Sequence, residues 1–134
     1  MSRFPTERHL ASWAKVSPGN NQSGGKRRSG ATGKGNPWLR STLVEAGRAA
    51  SRTRGTYFSA QCHRLAARRG GKRAAPAVAH SLLVVMYHLI KKGTAYQDLG
   101  VGFFDERARE AVVQRSVQRL ERLGYRVTLE DWAA

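Results

Sequence analysis

The stretch from about Arg73 to Lys92 does most to fix the fold class. Val78, Leu82, Val85, Met86 and Leu89 recur there at the spacing that lines one face of an α-helix. It is the longest apolar helix in the chain and is expected to be the core helix, closed by Gly93. Asn36-Pro37 reads as a second helix start, with Asn at the N-cap and Pro at the first helical position. That helix runs to about Arg54 and buries Leu39, Leu43, Ala46 and Ala50, and Gly55 breaks it. Another runs from about Thr56 to Arg69 with Tyr57, Phe58, Cys62 and Leu65 inward, before the break at Gly70-Gly71. Thr6 caps a short helix to about Lys15, with Leu10 and Trp13 on one face. Asp105 is expected to cap a last helix to about Leu123, ended by Gly124. The expectation is an all-α fold, a compact bundle of about five helices forming a single domain over residues 1–134. Residues 125–134 form a short tail, with Tyr125 to Leu129 extended.

A long basic Gly/Ser-rich loop over residues 16–35 joins the first two helices. Its Gly, Pro, Ser and Asn speak against regular structure, and so long a loop in a compact domain is either functional or disordered. Gly24-Gly25-Lys26-Arg27-Arg28 offers exposed backbone amides and cations, a cradle suited to phosphate. Lys34-Gly35-Asn36-Pro37 brings another cation to a helix N-terminus, itself an anion site, and Arg40 follows one turn on. The pattern is not that of a P-loop. Arg64, Arg68, Arg69, Lys72 and Arg73 form a second basic cluster across the Gly70-Gly71 break. A basic linker and a solvated face are the bland alternatives for the two clusters; a groove for a nucleic-acid backbone is the functional one.

The charge balance favours the functional reading. The chain has 24 Lys+Arg against 9 Asp+Glu, a formal net charge of +15, and such an excess repels itself in the compact state unless a polyanion neutralises it. Between Glu7 and Asp98 the only acidic residue is Glu45. From Asp98 onward seven acids stand against six arginines. The binding face is therefore expected in the first three quarters of the chain.

Other chemistries find little support. The single cysteine, Cys62, excludes an intrachain disulfide and a Cys-based zinc site, and suits a cytoplasmic protein. His9, His63, His80 and His88 are scattered over three helices, and Asp105, Glu106 and Glu110 read as helix N-terminal acids. No metal site is expected. The longest apolar run, Leu82 to Met86, is too short to cross a bilayer, no signal peptide is visible, and no membrane partner is expected.

An ordered set of motifs carries a family resemblance. It comprises Phe4-Pro5-Thr6, His9-Leu10-Ala11-Ser12-Trp13-Ala14, Pro18-Gly19-Asn20-Asn21-Gln22-Ser23-Gly24-Gly25-Lys26-Arg27-Arg28 and Lys34-Gly35-Asn36 with Leu39-Arg40. Ala67-Arg68-Arg69-Gly70, Ala77-Val78-Ala79-His80, Tyr96-Gln97-Asp98-Leu99-Gly100 and Leu120-Glu121-Arg122-Leu123-Gly124-Tyr125 continue it. The chain resembles the C-terminal domain of the bridge-RNA-guided insertion-sequence transposases, the "one-ten" family of serine DEDD recombinases. The resemblance implies a two-part enzyme. A RuvC-like half supplies metal-binding carboxylates and, with them, Mg2+. The C-terminal half supplies a serine that attacks a DNA phosphodiester, while a structured bridge RNA pairs with target and donor DNA. The residues alone leave Ser17, Ser23 and Ser29 open; the resemblance places the nucleophile at Ser23. Lys26, Arg27, Arg28, Lys34, Asn36 and Arg40, with Arg68, Arg69, Lys72 and Arg73, would then bind nucleic acid.

No RuvC-like half is present in these residues, so the domain is expected to be inactive by itself and to hold no cofactor. The Met immediately before the matching region suits a truncated reading frame or an excised domain. DNA, a guide RNA and further copies of the complete transposase are the implied partners. The alternative is a non-enzymatic nucleic-acid-binding module or a truncated regulator of transposition. The chain departs from the family at Lys15-Val16, where Gly-Leu is usual. If that glycine serves a special backbone angle, Lys15 would displace the loop that carries Ser23.

Overall fold

The structure is a computed structural model that describes residues 2–17, 22–27 and 34–130. Among these residues the fold is all-α apart from one hairpin of two-residue strands. In chain order the elements are α1 (Glu7–Trp13), β1 (Gln22–Ser23), β2 (Lys26–Arg27), α2 (Pro37–Arg52), α3 (Tyr57–Arg69), α4 (Gly71–Lys92), α5 (Phe103–Arg107) and α6 (Arg109–Arg122). The chain divides into two compact units, Met1–Val101 and Gly102–Ala134.

In the first unit α4 is the core helix, and α1, α2 and α3 all pack on it. Its buried side chains are Ala74, Ala75, Val78, Ala79, Leu83 and Tyr87. This is not the stripe that the large apolar residues predict. Leu82, Val85 and Leu89 are only half-buried, and Met86 is exposed. The reason lies in α2. Gly47 is buried against α4 so closely that a Cβ on it would stand 3.1 Å from the Ala79 nitrogen and 3.2 Å from the Ala75 oxygen. Close helix approach selects small residues on both sides, so the contact row Ala75, Ala79, Leu83, Tyr87 follows a four-residue ridge. Leu10, Ala11, Ala14, Val16 and Leu43 complete the core, with Phe4, Leu39 and Val44 packed against it. By length and apolar composition α4 is also the one helix among the described residues able to cross a membrane. Here it is the centre of a helical bundle.

Local chemistry fixes the ends of the helices. Thr6 caps α1, its side chain accepting from the His9 amide. The other end of α1 is a Schellman turn: the Val16 amide donates to the Ala11 carbonyl at 3.2 Å and the Lys15 amide to the Ser12 carbonyl at 3.1 Å. That turn needs a left-handed residue, and Lys15 takes the angle at φ 53°. Lys15 thus adopts, without glycine, the angle that the turn requires. Tyr87, only 1% exposed, reaches back across the chain, its hydroxyl 2.9 Å from the carbonyl oxygens of both Phe4 and Pro5. Lys91 Nζ donates to that hydroxyl at 3.2 Å. These bonds anchor the N-terminal segment to α4.

In the second unit, the single helix predicted from Asp105 to Leu123 is two. Ala108, at φ −123° and ψ 31°, interrupts it. Asp105 lies inside the first turn of α5, and Gly102 occupies the N-cap without a side-chain bond. Residues 125–130 form no strand.

Candidate nucleic-acid interface

The hairpin corrects the expectation of an irregular loop. Gln22 pairs with Arg27 and Ser23 with Lys26 in antiparallel register. Gly24 and Gly25 close the turn at φ 57° and 74°, the double positive φ of a type I′ hairpin, for which Gly-Gly is a favoured pair. A Cβ at either glycine would meet nothing within 4 Å, so the angles, not lack of room, call for glycine. That open space leaves the turn's backbone approachable by a phosphate. Ser23 and Lys26 are both exposed. Directly opposite residues of such a ladder project from the same face with Cβ atoms roughly 5 Å apart, so Ser23 and Lys26 share one face of the hairpin.

The two ends of the long loop meet. Gly35 lies against Lys15, with a built Cβ only 2.7 Å from Lys15 Cβ and Cγ. Lys34 is exposed just beyond that contact. Asn36 caps α2, its Oδ1 accepting from the amides of Trp38 at 3.0 Å and Leu39 at 3.2 Å. The Arg40 amide donates to the Asn36 carbonyl, and Pro37 has no N–H. The free amides that would make this helix N-terminus an anion site are therefore occupied, and the attraction there comes from the side chains of Lys34 and the half-buried Arg40. Arg28 and Ser29 lie outside the described residues, as does the side chain of Arg27.

The second basic cluster straddles the junction of α3 and α4. Arg68 and Arg69 close α3, Gly70 makes the turn at φ 81°, and Lys72 and Arg73 open α4, all exposed. Cations in the last turn of α3 are favoured by its dipole; those in the first turn of α4 are not. That placement suits an external anion better than internal pairing.

Two features escaped the sequence reading. Trp38, in the first turn of α2, is 83% exposed. In the second unit Arg115, Arg119 and Arg122 line a shallow concavity with Gln118 and Leu123. Their spacing of four and three was legible as one helix stripe, but nearby acids masked it. The charge also divides at the boundary between the units. The first holds 18 Lys+Arg and 3 Asp+Glu, hence the whole net charge of +15, and the second holds six of each.

Elsewhere in the first unit, Asp98 latches residues 94–101 to α3. Its Oδ1 accepts from the Tyr57 amide at 2.9 Å and the Gly100 amide at 2.7 Å, and its Oδ2 accepts from the Tyr96 hydroxyl at 2.8 Å. Those donors hold the carboxyl below its usual range. Partial burial and the neighbouring carboxylate push the Tyr96 phenol up to about 12, and its ring stacks on Phe58 with centroids 6.0 Å apart. Burial lowers the His80 pKa. Among the described residues no three His, Cys, Asp or Glu side chains come together to hold a metal ion.

The hairpin, the Lys15 turn and the first half of α2 lie in the segment that comparison with known proteins picks out. Residues 1–63 match the model of the transposase IS116/IS110/IS902 family. The match covers a little under half of the chain and supports a transposition-related role for this transposase-like segment. It spans α1, the hairpin, α2 and the first half of α3, and stops short of Arg68, Arg69, Lys72 and Arg73. No curated protein and no solved structure matches the chain.

Proposed function

We propose that this chain is the nucleic-acid-binding, nucleophile-bearing part of an insertion-sequence transposase, acting with a RuvC-like half that its own residues do not supply. The observation that carries the proposal is the hairpin. An exposed serine sits immediately before an open Gly-Gly turn, with Lys26 opposite, inside the segment that matches the transposase family. Ser23 Oγ attacks a DNA phosphodiester, a serine–phosphate bond forms, and one ester P–O bond breaks. The serine's proton ends on the hydroxyl of the released strand. Lys26, Arg27, Arg28 and Lys34 hold the phosphate and offset charge that grows on its oxygens in the transition state. Arg40 and the Arg68, Arg69, Lys72, Arg73 cluster hold the flanking backbone, and Asn36 fixes the helix that carries Arg40. A bridge RNA and further transposase copies complete the assembly in this reading.

The test is a Ser23→Ala chain combined with the RuvC-like half on a nicked DNA substrate. DNA binding should be retained and the covalent protein–DNA adduct lost. An adduct that survives the change would place the nucleophile elsewhere. A non-enzymatic binding module is the second reading. It is favoured by the charge, since the net +15 carried by the first unit calls for a polyanion with or without catalysis. That reading expects no adduct from the unaltered chain in the same assembly.

A further inference from the structure

Trp38 is the most exposed large hydrophobic side chain among the described residues. Tryptophan is a costly residue to leave in water and is highly buried on average, so an indole held open in this way calls for an explanation. Its neighbours on the same face of α2 are polar. Pro37 precedes it, Ser41 and Thr42 lie one turn on, and Glu45 two turns on, all exposed. That is not the apolar patch with buried anchors that docks another protein. The backbone beneath the ring is fixed, with the Trp38 amide on Asn36 Oδ1 and its carbonyl accepting from Ser41 Oγ at 3.1 Å. A rigid first turn therefore presents a flat ring to solvent. Cations flank it in the chain, Lys34 before and Arg40 after, and no acid occurs between Glu7 and Glu45.

We propose that Trp38 is a stacking platform for an unpaired nucleobase, in a single strand or a locally opened duplex whose phosphates run past Lys34 and Arg40. The inference deepens the nucleic-acid reading above and rests on it. An aromatic face accepts every base, so the contact is tolerant of sequence. It requires the base to leave its own stack, and so it favours single strands over intact duplex.

The experiment compares the full chain with Trp38→Ala and Trp38→Phe, on labelled oligothymidylate and on a blunt duplex of equal length, across a salt series. Trp38→Ala should bind the single strand about tenfold more weakly, within the range known for base–aromatic stacking, while duplex affinity stays within about twofold. Trp38→Phe should keep most of the affinity. The salt slope should match that of the parent, because no charge is removed, and circular dichroism melting should be unchanged. Equal single-strand affinity in parent and Trp38→Ala, or an equal loss on single strand and duplex, would overturn the stacking role. A parent that binds neither probe would overturn the nucleic-acid reading itself, and the stacking role with it.

Discussion

Lys15 occupies a left-handed backbone angle at φ 53°, which costs a residue with a Cβ roughly 1–2 kcal/mol. Lys15→Gly should therefore stabilise the first unit by about 1 kcal/mol, less the entropy that glycine adds to the unfolded chain, as measured by urea denaturation. A loss of stability would show that the Lys15 side chain contributes packing against Gly35 that outweighs the strain. Asp98 and Tyr96 share one hydrogen bond and respond to pH in opposite directions. The Asp98 carboxyl is held below its unfolded value, chiefly by the Tyr57 amide. Its contribution to stability is complete above that unfolded value, about 4, and fades as pH falls through the lower, folded one. The Tyr96 phenol is raised from 10.0 to about 12, so its contribution is complete below pH 10 and is lost as pH rises toward 12. Asp98→Asn should remove the acid-side loss and bring the phenol, followed by ultraviolet absorbance, back toward 10. It should not reach 10, because burial remains the larger cause. A phenol still at about 12 in that variant would exclude any part for the carboxylate.

Helix spacing and caps made most of the elements legible in advance. Thr6, Asn36 and Thr56 cap the helices they were expected to begin, because each offers an oxygen to amides two or three residues on. The face of α4 was misread because apolar bulk draws the eye to Leu82, Val85, Met86 and Leu89, whereas helix approach is set by Gly47, Ala75 and Ala79. Gly47→Ala should test this. Its new methyl would meet α4 backbone that has little freedom to move, at an expected cost of about 1–3 kcal/mol in thermal unfolding. A neutral result would mean that the helices slide apart at no cost. Tyr87→Phe removes the hydroxyl that ties α4 to the Phe4 and Pro5 carbonyls. It should cost about 1–2 kcal/mol and expose the N-terminal segment to early proteolysis. Asp105 was misread for a different reason. An acid near a helix start serves the dipole equally well from the cap or from inside the first turn, and the Ala108 break had no glycine or proline to announce it.

On the scale of the molecule, the boundary between the two units is also a boundary in charge, with the whole net charge of +15 on residues 1–101. The uneven charge was visible in the sequence. That Gly24-Gly25 builds a hairpin was also legible, since Gly-Gly is a favoured two-residue turn, but Ser, Asn and Pro around it suggested an irregular loop. Trp38 was not legible, because an aromatic beside Leu39 in an amphipathic helix reads as core until its angle on the helix is known. The central claim is that the hairpin and the residues just after it grip a nucleic-acid backbone. Its most direct test is duplex DNA binding across a salt series, for the chain and for a variant with Lys26, Arg27, Arg28 and Lys34 all changed to Gln. Tight, steeply salt-dependent binding by the parent is expected. In the variant, the slope of log K against log salt should fall by about 0.9 for each phosphate that is no longer neutralised. A variant that binds with the same affinity and slope as the parent would contradict it, leave the segment as a linker, and take the role of Ser23 with it.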